Sequence, residues 1–399
     1  MKIAIYIQSK KLGGTNTFLK NLINNWPLKN DQFYLLCNRS TENYSFYKKN
    51  IKNKNCKILF LNIPTLESLN LNQKYVNYIL KFLFFIPILI YQFFFFYFFF
   101  RDKKYQKFMS INGGYPGGES CIISCLSWKF ISKTSPILNI HNLAIQKTLS
   151  IFELNRLILD FIFKITGPRV IVVSKAVKKS IIQRIGYAKV KIIYNGLSKN
   201  KKRKKININK ILRIKNKNKN IIMVGAYEER KGHSFMINSF INLKKKIKNV
   251  NLIICGSQNN NYSKKLKMNI ASNQILKGSV FFYDKFLGDA IFDFMEFSDI
   301  CAITSQKFES FCLIILEAWS TKTPVVSTKI GGTSEVISNN YNGILIDKKN
   351  NLKFSNALFD LLKNENKRKI LGNRGYKTFV NNFSVNKMVS EYHKELSQI

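Results

Sequence analysis

KFESFCLIILEAWSTKTPVVSTKIGGTSEVI, Lys307 to Ile337, is the stretch whose reading decides the fold. It sets Glu309 and Glu317 eight positions apart, then a short apolar strand, the pair Gly331-Gly332 and a third carboxylate, Glu335. Ser310 suits a helix N-cap, so the pattern predicts a helix opening over Phe311, Cys312, Leu313 and Ile314. Unpaired amides at a helix start, with the positive end of the dipole, favour a phosphate. At a rise of ~1.5 Å per residue the two acids stand roughly 12 Å apart along such a helix. That span suits a diphosphate on the helix start, one acid on a sugar and the other on a ribose. An amphipathic helix with two solvated glutamates before a buried strand is the plainer account of the same spacing.

The ordered set Glu309-Ser310-Phe311-x-Leu313, Glu317-Ala318, Pro324-Val-Val-Ser-Thr328 and Gly331-Gly332-x-x-Glu335 resembles the nucleotide-sugar site of the retaining glycosyltransferases of family 4, which have a GT-B fold. The resemblance is sparse in the first half of the chain and dense from Ile221 to Asp347. It implies an α/β protein of two Rossmann-like, doubly wound domains facing a cleft. Residues 1–196 would form the acceptor-binding domain, with a hydrophobic membrane-associating helix near 78–100. A basic linker at 197–220 would lead to the nucleotide-sugar domain at 221–378, and a tail at 379–399 would cross back to the first domain.

A chain of 399 residues, 46% hydrophobic, can fill two ordinary cores and is no disordered polymer. Its seven cysteines (Cys37, Cys56, Cys121, Cys125, Cys255, Cys301, Cys312) lie mostly in apolar runs without Cys-x2-Cys pairs, as in a reduced, intracellular protein. Three histidines argue against a zinc site, and no structural metal is expected. The formal charge is +43, and no acid occurs from Phe161 to Tyr227. A drift toward Lys and Asn in composition explains part of this without any partner. A one-sided field also suits an anionic surface, nucleic acid or the cytoplasmic leaflet of a membrane. The basic residues are dispersed and carry no aromatic-stacking or recognition-helix motif, so no nucleic acid is expected. The start, MKIAIYIQSKKLGG, does not read as a signal peptide.

Along the chain, Lys2 to Gln8 reads as a strand ending at Ser9, Gly13-Gly14 as a loop, and Thr17 to Trp26 as a helix. Strand, glycine loop, helix opens a doubly wound domain, although a simple turn explains a lone Gly-Gly as readily. Gln32 to Cys37 and Lys57 to Leu61 fit the next strands. Phe82 to Phe100 (FLFFIPILIYQFFFFYFFF) carries no charge and approaches the ~20 residues that span a bilayer. Pro87 would kink it. The flanking segments belong to one parallel sheet, so both ends return to one compartment and a monotopic helix dipping into the inner leaflet is expected, with a buried packing helix and then a true span as the alternatives. Lys81 flanks it on one side, Arg101, Lys103, Lys104 and Lys107 on the other. Met109 to Ser120 is a strand followed by a Gly-Gly-Tyr-Pro-Gly loop, and Ile137 to Asn142 is an apolar strand ending on His141. Lys199 to Asn220 is a run of cations, usually a solvated linker. Ile221 to Tyr227 then starts a second strand–loop–helix, with Lys231-Gly232 in its loop.

By resemblance, Glu309 would hold hydroxyls of the transferred sugar, Glu317 the ribose hydroxyls, and His141 the partial charge of the sugar. Lys231 would grip the donor diphosphate. Its partner in the family pattern is an arginine, here Ala226, and Arg230 is the neighbouring candidate. Gly13, Gly14 and the amides of Phe311, Cys312, Leu313 and Ile314 complete the donor set, with Cys312 where glycine is usual. No Asp-x-Asp offers a metal bridge, so fixed donors would carry the leaving charge. The co-substrate would be a UDP- or GDP-sugar with no further cofactor. The acceptor would be a glycan or lipid-linked molecule of the cell envelope, on the inner face of the cytoplasmic membrane. Retention of configuration, by front-face attack, is implied by the family alone. A degenerate, non-catalytic relative remains the alternative, with a basic nucleic-acid-binding protein behind it.

Overall fold

The computed structural model describes the whole chain except residues 9–11, 39, 70–73, 151, 188, 199–204, 216, 258–259, 286 and 399, and the side chains at 74, 75 and 152. Ser9, Phe286 and part of the basic run at 199–220 therefore lie outside the described residues. The chain divides into two compact units, one of Met1–Asn195 with Val385–Ile399 and one of Gly196–Ser384.

The first unit opens with β1 (Lys2–Ile7), α1 (Gly14–Asn24), β2 (Gln32–Asn38), α2 (Thr41–Asn50) and β3 (Cys56–Leu61). There follow α3 (Lys74–Leu83), α4 (Phe85–Lys103), β4 (Lys107–Asn112), α5 (Glu119–Ile131) and β5 (Ile137–Ile140). It closes with α6 (Phe152–Thr166), β6 (Arg169–Val172), α7 (Lys175–Ile185) and β7 (Val190–Ile192). All pairings are parallel, in the order β3-β2-β1-β4-β5-β6-β7. Near-continuous apolar strands such as KIAIYI and RVIV are what a parallel sheet covered on both faces demands. The order reverses between β1 and β4, where a ligand crevice is expected outside the strands' carboxyl ends.

The second unit repeats this pattern. It runs α8 (Ile208–Leu212), β8 (Lys219–Val224), α9 (His233–Lys244), β9 (Val250–Cys255), α10 (Asn261–Ala271) and β10 (Val280–Tyr283). Then come α11 (Ile291–Phe297), β11 (Ile300–Ile303), α12 (Leu313–Ser320), β12 (Val325–Thr328), α13 (Thr333–Val336), β13 (Ile344–Ile346), α14 (Asn351–Lys363) and α15 (Glu365–Asn382). Its sheet is also parallel, ordered β10-β9-β8-β11-β12-β13, and reverses between β8 and β11. The last helix, α16 (Val385–Ser397), packs in the first unit. There the Tyr392 ring meets Phe18, and its hydroxyl accepts from Asn139 at 2.8 Å.

The apolar run at 82–100 is interrupted at Phe84, not bent at Pro87. Proline lacks an N–H and its ring clashes with the carbonyl four residues back, here Leu83, so the strain is relieved by ending one helix and starting another. Pro87 then sits in the first turn of α4, where a missing N–H costs little. One stripe of α4 is buried: Phe85, Ile88, Leu89, Gln92, Phe96 and Phe100. Phe100 meets the Phe108 and Trp128 rings, and Gln92 donates to the Pro64 carbonyl at 2.7 Å.

Helix α6 turns its acids inward. Arg184, fully buried, binds Glu153 at 2.8 Å and Asp160 at 3.0 Å, and donates to the Ile145 carbonyl. Asp160 also accepts from the Tyr115 hydroxyl at 2.7 Å, and the Ile145 amide donates to the Tyr115 carbonyl, so this hub holds the glycine-rich loop after β4. Arg184→Met should leave the buried Asp160 without its cation and Glu153 with Arg156 alone, and cost about 3 kcal/mol. Urea denaturation followed by circular dichroism measures that loss.

Candidate functional site

At the reversal point of the second sheet, two hydrogen bonds tie the β8–α9 and β11–α12 loops. The Gln306 amide donates to the Arg230 carbonyl at 2.7 Å, and the Thr304 hydroxyl donates to the Lys231 carbonyl at 2.9 Å. Gly232 has φ +73°, and a Cβ there would fall 1.9 Å from the Thr304 carbonyl oxygen, so only glycine permits the approach. The loop after β12 closes on the same spot. Gly331 and Gly332 lie so close to the Glu309 and Ser310 carbonyls that any Cβ would collide, and the Gly332 amide donates to the Glu309 carbonyl at 2.8 Å.

Three loops thus converge on one side-chain pair. The Lys231 ammonium meets Glu309 Oε2 at 2.7 Å, and the Ser305 hydroxyl donates to the same oxygen at 2.7 Å. Burial pushes the Glu309 carboxyl up, but the charge and hydrogen bond of Lys231, then Ser305 and Arg230, outweigh it and hold the group below the usual carboxylate range. Glu309 is therefore a fixed anion. An ammonium has three N–H donors, so Lys231 keeps capacity beyond Glu309 for an anionic ligand. Arg230 is held to one side by Glu228, 2.5 Å away, and by the Phe308 ring.

Ser310 does not cap the helix. Helix α12 begins at Leu313, and its cap residue is Cys312 at φ 65°, in the left-handed region that favours glycine. The close approach of Gly331-Gly332 to residues 309–311 forces this late start. Phe311 and Cys312 thus precede the helix, while Leu313 and Ile314 are its first residues, whose amides have no intrahelical acceptor. Leu313, Ile314 and Glu317 share its part-open face, while Ile315, Leu316, Ala318 and Trp319 are buried. Burial, and then the charge of Glu309, push the Cys312 thiol well up, so it is a neutral thiol and no nucleophile.

The remaining expected residues lie in the first unit. Gly13 caps α1, its amide bound to the Asn16 side chain at 2.9 Å, and Gly14 is the helix's first residue. Phe18 of α1 packs on the His141 ring at a centroid distance of 4.5 Å. Asn139 uses its amide hydrogens on the Ile171 carbonyl and the Tyr392 hydroxyl, so its oxygen accepts from His141 Nε2 at 2.5 Å. That fixes the tautomer with Nδ1 as acceptor. Burial depresses the His141 pKa to about 3, so the ring is neutral.

Residues 204–378 match the family of glycosyl transferases group 1. An uncharacterised glycosyltransferase of Methanocaldococcus jannaschii is 31% identical over 111 residues, 28% of this chain and 31% of that protein. The N-acetyl-alpha-D-glucosaminyl L-malate synthase of Bacillus anthracis is 32% identical over 109 residues, 27% of this chain and 28% of the synthase. The matched stretch therefore spans less than a third of either relative. HepE of Anabaena, solved in complex with UDP-glucose, aligns over the full length of both chains with a TM-score of 0.74 at 19% identity. The architecture, two parallel-sheet Rossmann-like units, is GT-B.

Within the matched stretch, Lys231 and Glu309 meet directly, beside the start of α12. Ser305, Thr304 and Gln306 were not legible in the sequence, because their part is to hold a neighbouring loop and leaves no motif. A Lys231→Ala substitution removes the cation and leaves burial, so Glu309 should titrate above its value in the parent. The parent's depressed carboxyl stabilises the fold above the ordinary value of 4.5 and loses that contribution as pH falls through its folded value. The stability gap between variant and parent should be widest near neutrality and should narrow in acid, as thermal melts across that range will record.

Proposed function

We propose that this protein is a retaining, metal-independent glycosyltransferase that moves a sugar from a UDP- or GDP-sugar to a glycan or lipid-linked acceptor of the cell envelope. The observation that carries the reading is the Lys231–Glu309 pair at the mouth of α12, at the reversal point of a group 1 domain's sheet. The bound UDP-glucose of HepE supports a nucleotide-sugar donor.

In this mechanism negative charge grows on the leaving diphosphate as the anomeric carbon becomes cationic. Lys231 and the first amides of α12 meet the diphosphate, in positions set before the reaction begins. Glu309 accepts from hydroxyls of the transferred sugar, and Glu317, one turn further along the open face, accepts from the ribose. In the first unit, the neutral His141 presents its Nδ1 lone pair as a hydrogen-bond acceptor. The leaving phosphate takes the acceptor's proton, and the configuration is retained. For the acceptor, the first unit offers a cavity of about 820 Å³ lined by Asn112, Gly113, Gly114, Asn142, Asn155 and Arg156 among others. The protein works on the inner face of the cytoplasmic membrane, attached through the apolar run at 82–100.

Ala226, where the family pattern has arginine, favours a second reading, a non-catalytic donor-binding relative. Assays with UDP-glucose and with the GDP-sugars separate the two, since only an enzyme hydrolyses or transfers. Glu309→Gln should lower turnover on the order of 10²–10³-fold with the melting temperature retained. Near-parental turnover would remove Glu309 from the mechanism. Glu317→Ala should instead weaken UDP binding by about tenfold in calorimetry. Ala226→Arg should tighten it, by restoring a cation beside the diphosphate.

A further inference from the structure

Helix α6 is built against the usual rule. It buries Glu153 and Asp160 on Arg184 and turns Leu154, Leu157, Phe161 and Ile165 outward, with Phe161 63% exposed. The spacing of these four residues, three then four then four, makes one continuous stripe along the helix. Helix α4 exposes a second stripe, Ile86, Ile90, Phe94 and Phe98. Between them stands α5, whose Phe130 is 65% exposed and meets the Phe93 ring. The adjoining Lys129 donates to the Ile165 carbonyl, so the bridge reaches α6. The stripes lie on helices that adjoin α5 from either side, and soluble monomers rarely expose large contiguous apolar patches.

The charge around this surface is one-signed. Arg101, Lys103 and Lys104 at the end of α4, Lys129 and Lys133 at the end of α5, and Lys164 near the end of α6 are all exposed. Among the described residues of these three helices, Asp102, beside Arg101, is the exposed acid, because Glu119, Glu153 and Asp160 are buried. Apolar stripes rimmed by cations at one end match the acyl boundary and anionic headgroups of a bilayer. A second copy of the chain would bring the same cations against each other.

We propose that α4, Phe130 and α6 together form one platform that lies on an anionic lipid bilayer, with both helices in the plane of the interface. This deepens the membrane attachment proposed above, which rested on one helix, and it does not depend on the donor site. The test is flotation of the full chain with vesicles of phosphatidylcholine, with and without phosphatidylglycerol. The parent should float with the anionic vesicles and less so in high salt. Leu157→Ser/Phe161→Ser on α6, and separately Phe94→Ser/Phe98→Ser on α4, should each lower partitioning by about tenfold or more. In Phe161→Trp, with the other side chains intact, brominated lipid should quench the new fluorophore. Parental flotation of the α6 variant, or an unquenched tryptophan at 161, overturns the platform. So does a vesicle-free dimer that the same substitutions dissociate. UDP affinity, measured on the same samples, should stay unchanged. Loss of UDP binding in the parent would strike the donor reading and leave the platform standing.

Discussion

The ion pair between Lys231 and Glu309 is where the second unit's folding and its chemistry meet. It is largely buried and short, so each partner alone would be costly to bury. The two loops that carry it cannot separate without breaking the Thr304–Lys231 and Gln306–Arg230 bonds. Neither could they have met if Gly232 carried a side chain, nor could the loop after β12 close on Glu309 and Ser310 if Gly331 or Gly332 did. The same crowding displaces the start of α12 to Leu313 and holds Cys312 in a conformation that costs an ordinary residue about 1–3 kcal/mol. Strain at that position is the counterpart of a rigid anion beside a helix mouth.

The first unit solves a different problem with the same economy of acids. Asp31 is spent on the N-terminal amine and the Trp26 indole, Glu119 on the Leu66 amide, Glu153 and Asp160 on Arg184, and Glu395 on Lys191. With these carboxylates committed, Glu42, Glu67 and Asp102 are the exposed acids among the unit's described residues, and the surface left to solvent is mostly cationic. The high net charge therefore has a spatial expression that a count could not supply. Part of it stands where α4, α5 and α6 end, beside their apolar stripes.

Parallel sheets explain why both sites sit where they do. In each unit the strand order reverses once, between β1 and β4 and between β8 and β11. At each reversal two helices diverge from adjacent strands, leaving loops open at the strands' carboxyl ends. The Gly13-Gly14 loop and the loop after β4 occupy one such place, and the Lys231 and Glu309 loops occupy the other. The neutral His141, with its tautomer set by Asn139, lies at the edge of the first.

Much of this was legible in the chain before any fold was known. Apolar strand runs followed by glycine loops are local signals, since backbone sterics and strand pairing act over a few residues; they define two doubly wound units. Glu309, Lys231 and the double glycine were readable because motif spacing records loops that meet a common ligand. The helix start at Leu313 was not, because a distant glycine pair imposes it and overrides the capping preference of Ser310. The break at Phe84 follows from Pro87, but its place one turn earlier appears only once the carbonyl it would strike is in position. Helix α6 shows the division most plainly. Its sequence mixes acids and apolar residues on both faces, and hydrophobicity alone would bury the leucines. Arg184, thirty-one residues from Glu153, draws the acids inward and turns the apolar stripe out. That choice belongs to tertiary structure, because a buried charge must be answered wherever in the chain its partner lies.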